Sequence, residues 1–107
     1  MIHSWERGIL WEILVPAFTN DGVKIQVPFH KEWDERVRKL AGGLTIMKTG
    51  IGNWINGNEL YIERTIPIRI YCTKNQIDVI ADITASHYGQ KSIMYYALSD
   101  DVYIKRY

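Results

Sequence analysis

From Glu59 to Cys72 the chain alternates, with Glu63-Arg64 side by side at its centre. Leu60, Ile62, Ile66, Ile68, Ile70 and Cys72 interleave with Tyr61, Glu63, Thr65, Pro67, Arg69 and Tyr71. Period two with many β-branched residues predicts a strand in the middle of a sheet. Read as one strand it would span roughly 40 Å, about twice the usual length. Pro67 cannot donate to a ladder and marks the expected bulge. Gly8–Phe18 predicts an earlier strand with Ile9, Trp11, Ile13, Val15 and Ala17 on one face. Its other face carries Leu10, Glu12, Leu14, Pro16 and Phe18, so both faces are largely apolar.

Helical spacing follows. After the Asn20-Asp21-Gly22 turn, Pro28 suits a first helical turn, and Trp33, Val37, Leu40 and Ala41 make one apolar stripe. Glu32/Arg36, Asp34/Arg38 and Glu35/Lys39 are i,i+4 pairs on the outer face, and Gly42-Gly43 ends the helix. Leu44–Thr49 predicts a short strand, with residues 50–57 a loop closing on the hairpin signal Asn56-Gly57. Thr73-Lys74-Asn75-Gln76 is a capping box opening a second helix, whose buried stripe is Ile77, Ile80, Ala81, Thr84 and Tyr88. Gly89 closes it, Lys91–Leu98 predicts a fourth strand, and Val102–Arg106 a fifth. Strand, helix, strand, strand, helix, strand is the split β-α-β order. The expected architecture is a single α+β domain over residues 1–107, a ferredoxin-like sandwich with both helices on one face of an antiparallel sheet. Two helices cannot cover both faces, so the second apolar face predicts a homo-oligomer, dimer or trimer.

Bulk properties narrow the partners. The 107 residues are 47% hydrophobic with a net charge of +1, and basic residues adjoin only at Arg38-Lys39 and Lys105-Arg106. Nucleic acid is therefore not the expected partner. No apolar run approaches a membrane span and no leader pattern is present, which predicts a cytoplasmic protein. Cys72 stands alone, excluding an internal disulfide. His3, His30 and His87 are not at metal-ligand spacing.

The candidate chemistry is sparse. Gly50-Ile51-Gly52 leads into a strand and reads as a hairpin rather than a phosphate cradle. Trp54 in that segment either stacks on a ligand ring or covers a neighbouring subunit. Glu12 and Glu63 lie within apolar strands, where a carboxylate must be paired, hydrogen-bonded or reach water. Lys91 is the expected partner of Glu12. Glu63 either pairs with Arg64 or Arg69 or faces a cleft, and Gln90 is either a structural amide or a ligand contact.

From about Ile9 to Leu98 the chain resembles the bacteriophage S-adenosylmethionine lyases. The likeness rests on Val15-Pro16-Ala17-Phe18, on Gly43-Leu44 after the first helix, and on Glu63 in the long strand. It continues through Ile66-Pro67-Ile68-Arg69, Tyr88-Gly89-Gln90 and Tyr95-Tyr96. Where that family has an acidic pair this chain has Glu63-Arg64. The resemblance implies breakdown of S-adenosylmethionine into methylthioadenosine and homoserine lactone, without metal or cofactor, at a site between subunits of a trimer. It implies Glu63 as the catalytic residue, with Gln90 and the tyrosines Tyr61 and Tyr88 as substrate contacts, to which Trp54 is added as a candidate from its place in the hairpin. Small ferredoxin-like bacterial domains of unknown function are similar too. By that likeness Glu63 and Gln90 would belong to the fold, and the protein would be a non-catalytic binding module.

Overall fold

The computed structural model describes the backbone of residues 4–107 and the side chains of residues 6–53, 57–58 and 63–107. The elements run β1 (Ser4–Pro16), α1 (Val27–Ala41), β2 (Thr45–Ile46), β3 (Gly50–Asn56), β4 (Glu59–Tyr71), α2 (Lys74–Tyr88) and β5 (Tyr95–Arg106). The five strands form one antiparallel sheet in which β1 lies between β4 and β5, and β2 then β3 pair with successive stretches of β4. Both helices pack on one face, giving the ferredoxin-like α+β arrangement.

Side-chain alternation along the central strands selects the core. Trp11, Ile13 and Val15 of β1 meet Ile68 and Ile70 of β4 beneath Trp33 and Val37 of α1 and Ile77, Ile80 and Ala81 of α2. Trp33 Nε1 donates to Thr84 Oγ1 at 2.9 Å, and that hydroxyl donates to the Ile80 carbonyl at 2.6 Å. The two helices are thus joined by a polar bond inside an apolar layer, with Thr84 fully buried. Thr73 accepts from the Gln76 amide while the Gln76 side chain accepts from the Thr73 amide, the reciprocal cap expected at α2. Gly42 and Gly89 end the helices at φ 88° and 63°, a region closed to most side chains. Of the three surface pairs on α1, Asp34–Arg38 and Glu35–Lys39 form, at 2.9 and 3.6 Å. Leu40 ends 36% exposed rather than completing the buried stripe.

Pairing revises several local expectations. β4 runs through Pro67 without a bulge, because Pro67 lies opposite Leu14 in regular register and its carbonyl accepts from the Met47 amide. The irregularity sits instead between β1 and β5, on either side of Leu10. Beside it, the Tyr71 ring lies so close over Gly8 that a Cβ there would collide with it. That β1–β5 pairing continues past the bulge, so the separate fourth and fifth strands expected at Lys91–Leu98 and Val102–Arg106 are one strand, Tyr95–Arg106. Residues 50–56 are a strand rather than a loop, since they find β4 as a partner. Glu12 is paired, though not with Lys91. The register sets Arg69 and Tyr96 on either side of it, and Arg69 Nε donates to Glu12 at 3.2 Å while the Tyr96 hydroxyl donates to its other oxygen. The bond to Glu12, with burial and the carboxylate charge, raises the Tyr96 phenol above its ordinary pKa.

The sheet face away from the helices carries Leu10, Leu14, Pro16 and Pro67 around that cluster, with Met94, Tyr96 and Leu98 at 49%, 38% and 41% exposure. β3–β4 extends past the end of β1, and β1–β5 past the end of β4, as two-stranded ribbons. The extents are 59 × 30 × 24 Å and the radius of gyration 15.7 Å, against about 13 Å for a compact chain of this length. Among the described residues no helix is long and apolar enough to cross a membrane.

Candidate functional site

The site begins where β1 stops. Pro16 is the last β1 residue paired with β4, opposite Thr65, and the Ala17 amide then donates to the Arg64 carbonyl. Beyond that point β4 is paired with β3 alone: Glu63 lies opposite Gly52 and Arg64 opposite Ile51. Freed from β1, this stretch of β4 exposes Glu63 and Arg64 to solvent.

The chain leaving β1 folds over as a tight turn. The Gly22 amide donates to the Thr19 carbonyl at 3.0 Å, and the Thr19 hydroxyl accepts from the Val23 amide at 3.1 Å. This turn carries Asn20 toward Gln90. The Gln90 amide caps α2 by donating to the Ala85 carbonyl at 2.9 Å, and its side chain donates to Asn20 Oδ1 at 3.3 Å and to the Tyr88 carbonyl at 3.4 Å. Gly89, in its left-handed conformation, aims Gln90 away from the helix and toward the turn.

Glu63 and Gln90 therefore share a cleft of about 690 Å³, together with Arg64, Thr65, Asn20 and Phe18. A smaller hollow of about 270 Å³ adjoins it, bordered by the same Glu63 and Gln90 and by Leu14 and Met94 of the uncovered sheet face. Arg64 Cζ lies 5.5 Å over the Phe18 ring, a cation–π contact that holds the guanidinium at the cleft. Among the described residues neither Glu63 nor Arg64 has an ion-pair partner, so the expected pairing of Glu63 with Arg64 or Arg69 is not formed. Arg69 is engaged with Glu12 instead.

Tyr88 is not brought to this cleft. It is 8% exposed, and its hydroxyl shares a 2.6 Å hydrogen bond with His30 Nδ1. Burial, with the nearby Asp34 charge, pushes its phenol well above the ordinary value. Around it Phe29 stacks on His87 at 4.1 Å, and His87 Nε2 donates to the Phe29 carbonyl at 2.7 Å. The backbones of Trp54 and Tyr61 pair across the β3–β4 hairpin, and both side chains lie outside the described residues. Cys72 is buried, and burial pushes its thiol up to about 11, which suits a core residue. Among the described residues no group of three His, Cys, Asp or Glu side chains could hold a metal ion.

Sequence reasoning missed Asn20, Phe18 and Arg64 as cleft residues. Asn20 carried only a turn signal, and nothing local ties it to Gln90, 70 positions away.

No family model and no curated protein sequence matches the chain. Solved structures do. A phage S-adenosylmethionine lyase in complex with S-methyl-5′-thioadenosine is similar at 12% identity and a TM-score of 0.65, covering 92% of this chain and 88% of that one. CutA from the bacterium Xylella fastidiosa is similar at 10% identity and a TM-score of 0.66, over 91% and 86% of the two chains. The divalent cation tolerance protein from Thermus thermophilus is similar at 10% identity and a TM-score of 0.63, over 92% and 84%. At these identities the shared property is the fold, and it is the ferredoxin-like fold derived above.

Proposed function

We propose that this protein is an S-adenosylmethionine-degrading lyase that works as a homo-oligomer. One observation carries the reading: Glu63 of β4 and Gln90 after α2 converge on a single open cleft. The similarity in fold to a phage lyase complexed with S-methyl-5′-thioadenosine supports it.

The reaction needs no protein nucleophile. A carboxylate oxygen of the substrate attacks its own γ-carbon, the new C–O bond closes the lactone, and the C–S bond breaks with its electron pair passing to sulfur. The sulfonium becomes the neutral thioether of methylthioadenosine, and the lactone keeps the α-ammonium. No proton is transferred. The protein contributes by holding the chain in a near-attack conformer and by removing water from it. A carboxylate against the sulfonium would favour the ground state, because that charge disappears in the reaction. Glu63 acts instead on the α-ammonium, which orients the attacking carboxylate, and Gln90 adds neutral hydrogen bonds.

On one protomer the cleft is open to solvent. A second copy seated on the uncovered face beside Leu14 and Met94 would wall the cleft and supply the dryness that the chemistry favours. The ribbon arms argue the same way, since an isolated two-stranded ribbon is marginal in water.

Purified protein given S-adenosylmethionine should release methylthioadenosine with no added metal. In oxygen-18 water, freshly formed lactone should carry no label. Glu63→Gln should lose most turnover while keeping the assembly, and Gln90→Ala should cost about 1–3 kcal/mol in binding or turnover. A wild-type protein that neither binds nor consumes S-adenosylmethionine refutes the lyase. The second reading, a non-catalytic binding module, draws on the divalent cation tolerance proteins that share the fold. Binding without turnover would favour it.

A further inference from the structure

Glu63 and Arg64 are consecutive, oppositely charged and exposed. What sets them apart from the other exposed charges is their place: both border one cleft, with Gln90 and Asn20 beside them. Among the described residues neither is in an ion pair. β1 stops pairing at Pro16, and the cleft lies at the edge of β4 left bare beyond that point, where both side chains border it. Phe18 holds the Arg64 guanidinium in place by its ring face while leaving its N–H donors free of a carboxylate.

A cleft with one acid and one base, neither in an ion pair among the described residues, fits a ligand that carries both charges. A simple cation would leave Arg64 unanswered, and a simple anion would face Glu63. A zwitterion satisfies both, and Gln90 and Asn20 at the same wall add neutral donors and acceptors. We infer that the cleft is a receptor for an α-amino-acid head group, with Arg64 on the carboxylate and Glu63 on the ammonium. This rests on the lyase reading for the rest of the substrate. It makes Arg64 the residue that distinguishes substrate, which has the head group, from methylthioadenosine, which does not.

Arg64 acts on binding rather than on the chemical step. Its attraction to the carboxylate is strongest before reaction, since that negative charge is consumed as the lactone closes. Removing Arg64 therefore withdraws more stabilisation from the ground state than from the transition state.

Titration of three probes separates this proposal from the lyase reading: S-adenosylhomocysteine, which has the head group but no sulfonium; methylthioadenosine, which lacks the head group; and L-methionine. Wild type should bind S-adenosylhomocysteine about 10- to 100-fold more tightly than methylthioadenosine, the range for charge-assisted hydrogen bonds. Arg64→Met keeps an unbranched apolar stem beside Phe18 without the charge, and should erase that preference while leaving methylthioadenosine binding within about twofold. Arg64→Lys should restore part of it, because a point charge replaces the planar fork. In turnover, Arg64→Met should raise KM with kcat unchanged or higher. Equal wild-type affinity for the two nucleosides would overturn the head-group proposal and leave the lyase standing. Binding of L-methionine that Arg64→Met abolishes, without binding of methylthioadenosine, would uphold the proposal and remove the lyase. A fall in kcat at constant KM would overturn the assignment of Arg64. Arg64 is exposed, so a far-ultraviolet spectrum matching wild type is expected of the variant.

Discussion

Replacing Thr84 by Val tests what joins the helices. Val matches Thr in shape but cannot accept from Trp33, whose Nε1 now donates to Thr84 Oγ1 at 2.9 Å. Trp33 is 2% exposed and Thr84 fully buried, so water cannot replace the lost acceptor. An orphaned buried donor costs about 1–3 kcal/mol. The unfolding entropy of a chain this long is about 0.2 kcal/mol per degree, so the melting midpoint should fall by about 5–15 °C. Thr84→Ser is the companion: it keeps the hydroxyl and loses one buried methyl, worth about 1 kcal/mol. Thermal melts followed by near-ultraviolet circular dichroism, at one protein concentration because assembly shifts midpoints, should order the proteins as wild type, Ser, Val. If shape alone mattered, Val would melt like wild type and above Ser. That order would refute the bond as a source of stability.

Two further outcomes follow from the described geometry. Burial, aided by the charge of His87, holds the folded His30 pKa below its ordinary 6.5, so the unfolded chain binds more protons in the window beneath that value. The His30 contribution is full above about pH 6.5 and is lost as the pH falls toward the folded value; wild type should lose more midpoint than His30→Gln between about pH 7.5 and pH 5.5, and equal losses would refute it. Light scattering at micromolar protein should report two or three copies of the 12.5 kDa chain, and a clean monomer would refute the assembly through the uncovered face.

Local order was legible because its causes are local. The period-two run of β4, the capping box Thr73–Gln76, the stripe Ile77, Ile80, Ala81, Thr84 and Tyr88, and the terminating glycines Gly42 and Gly89 all stand in the folded chain as the spacing predicts. Each depends on residues within a few positions, where backbone geometry and side-chain direction are already set. The apolar surplus on both faces of β1 was also legible, since two helices cannot cover it. Register was not. Whether Glu12 meets Lys91 or Arg69, whether Pro67 forces a bulge, and whether residues 50–56 pair at all depend on which strand lies alongside, and a one-residue slip reverses every face. The candidate site falls under the same rule. Glu63 and Gln90 stand out as polar residues in apolar surroundings, but tertiary packing alone brings them to one cleft, adds Asn20 from a turn and Phe18 from the end of β1, and turns Tyr88 inward to His30. Spacing along the chain carries the information for helices and strands. Convergence across it depends on long-range pairing, which no short window of residues contains.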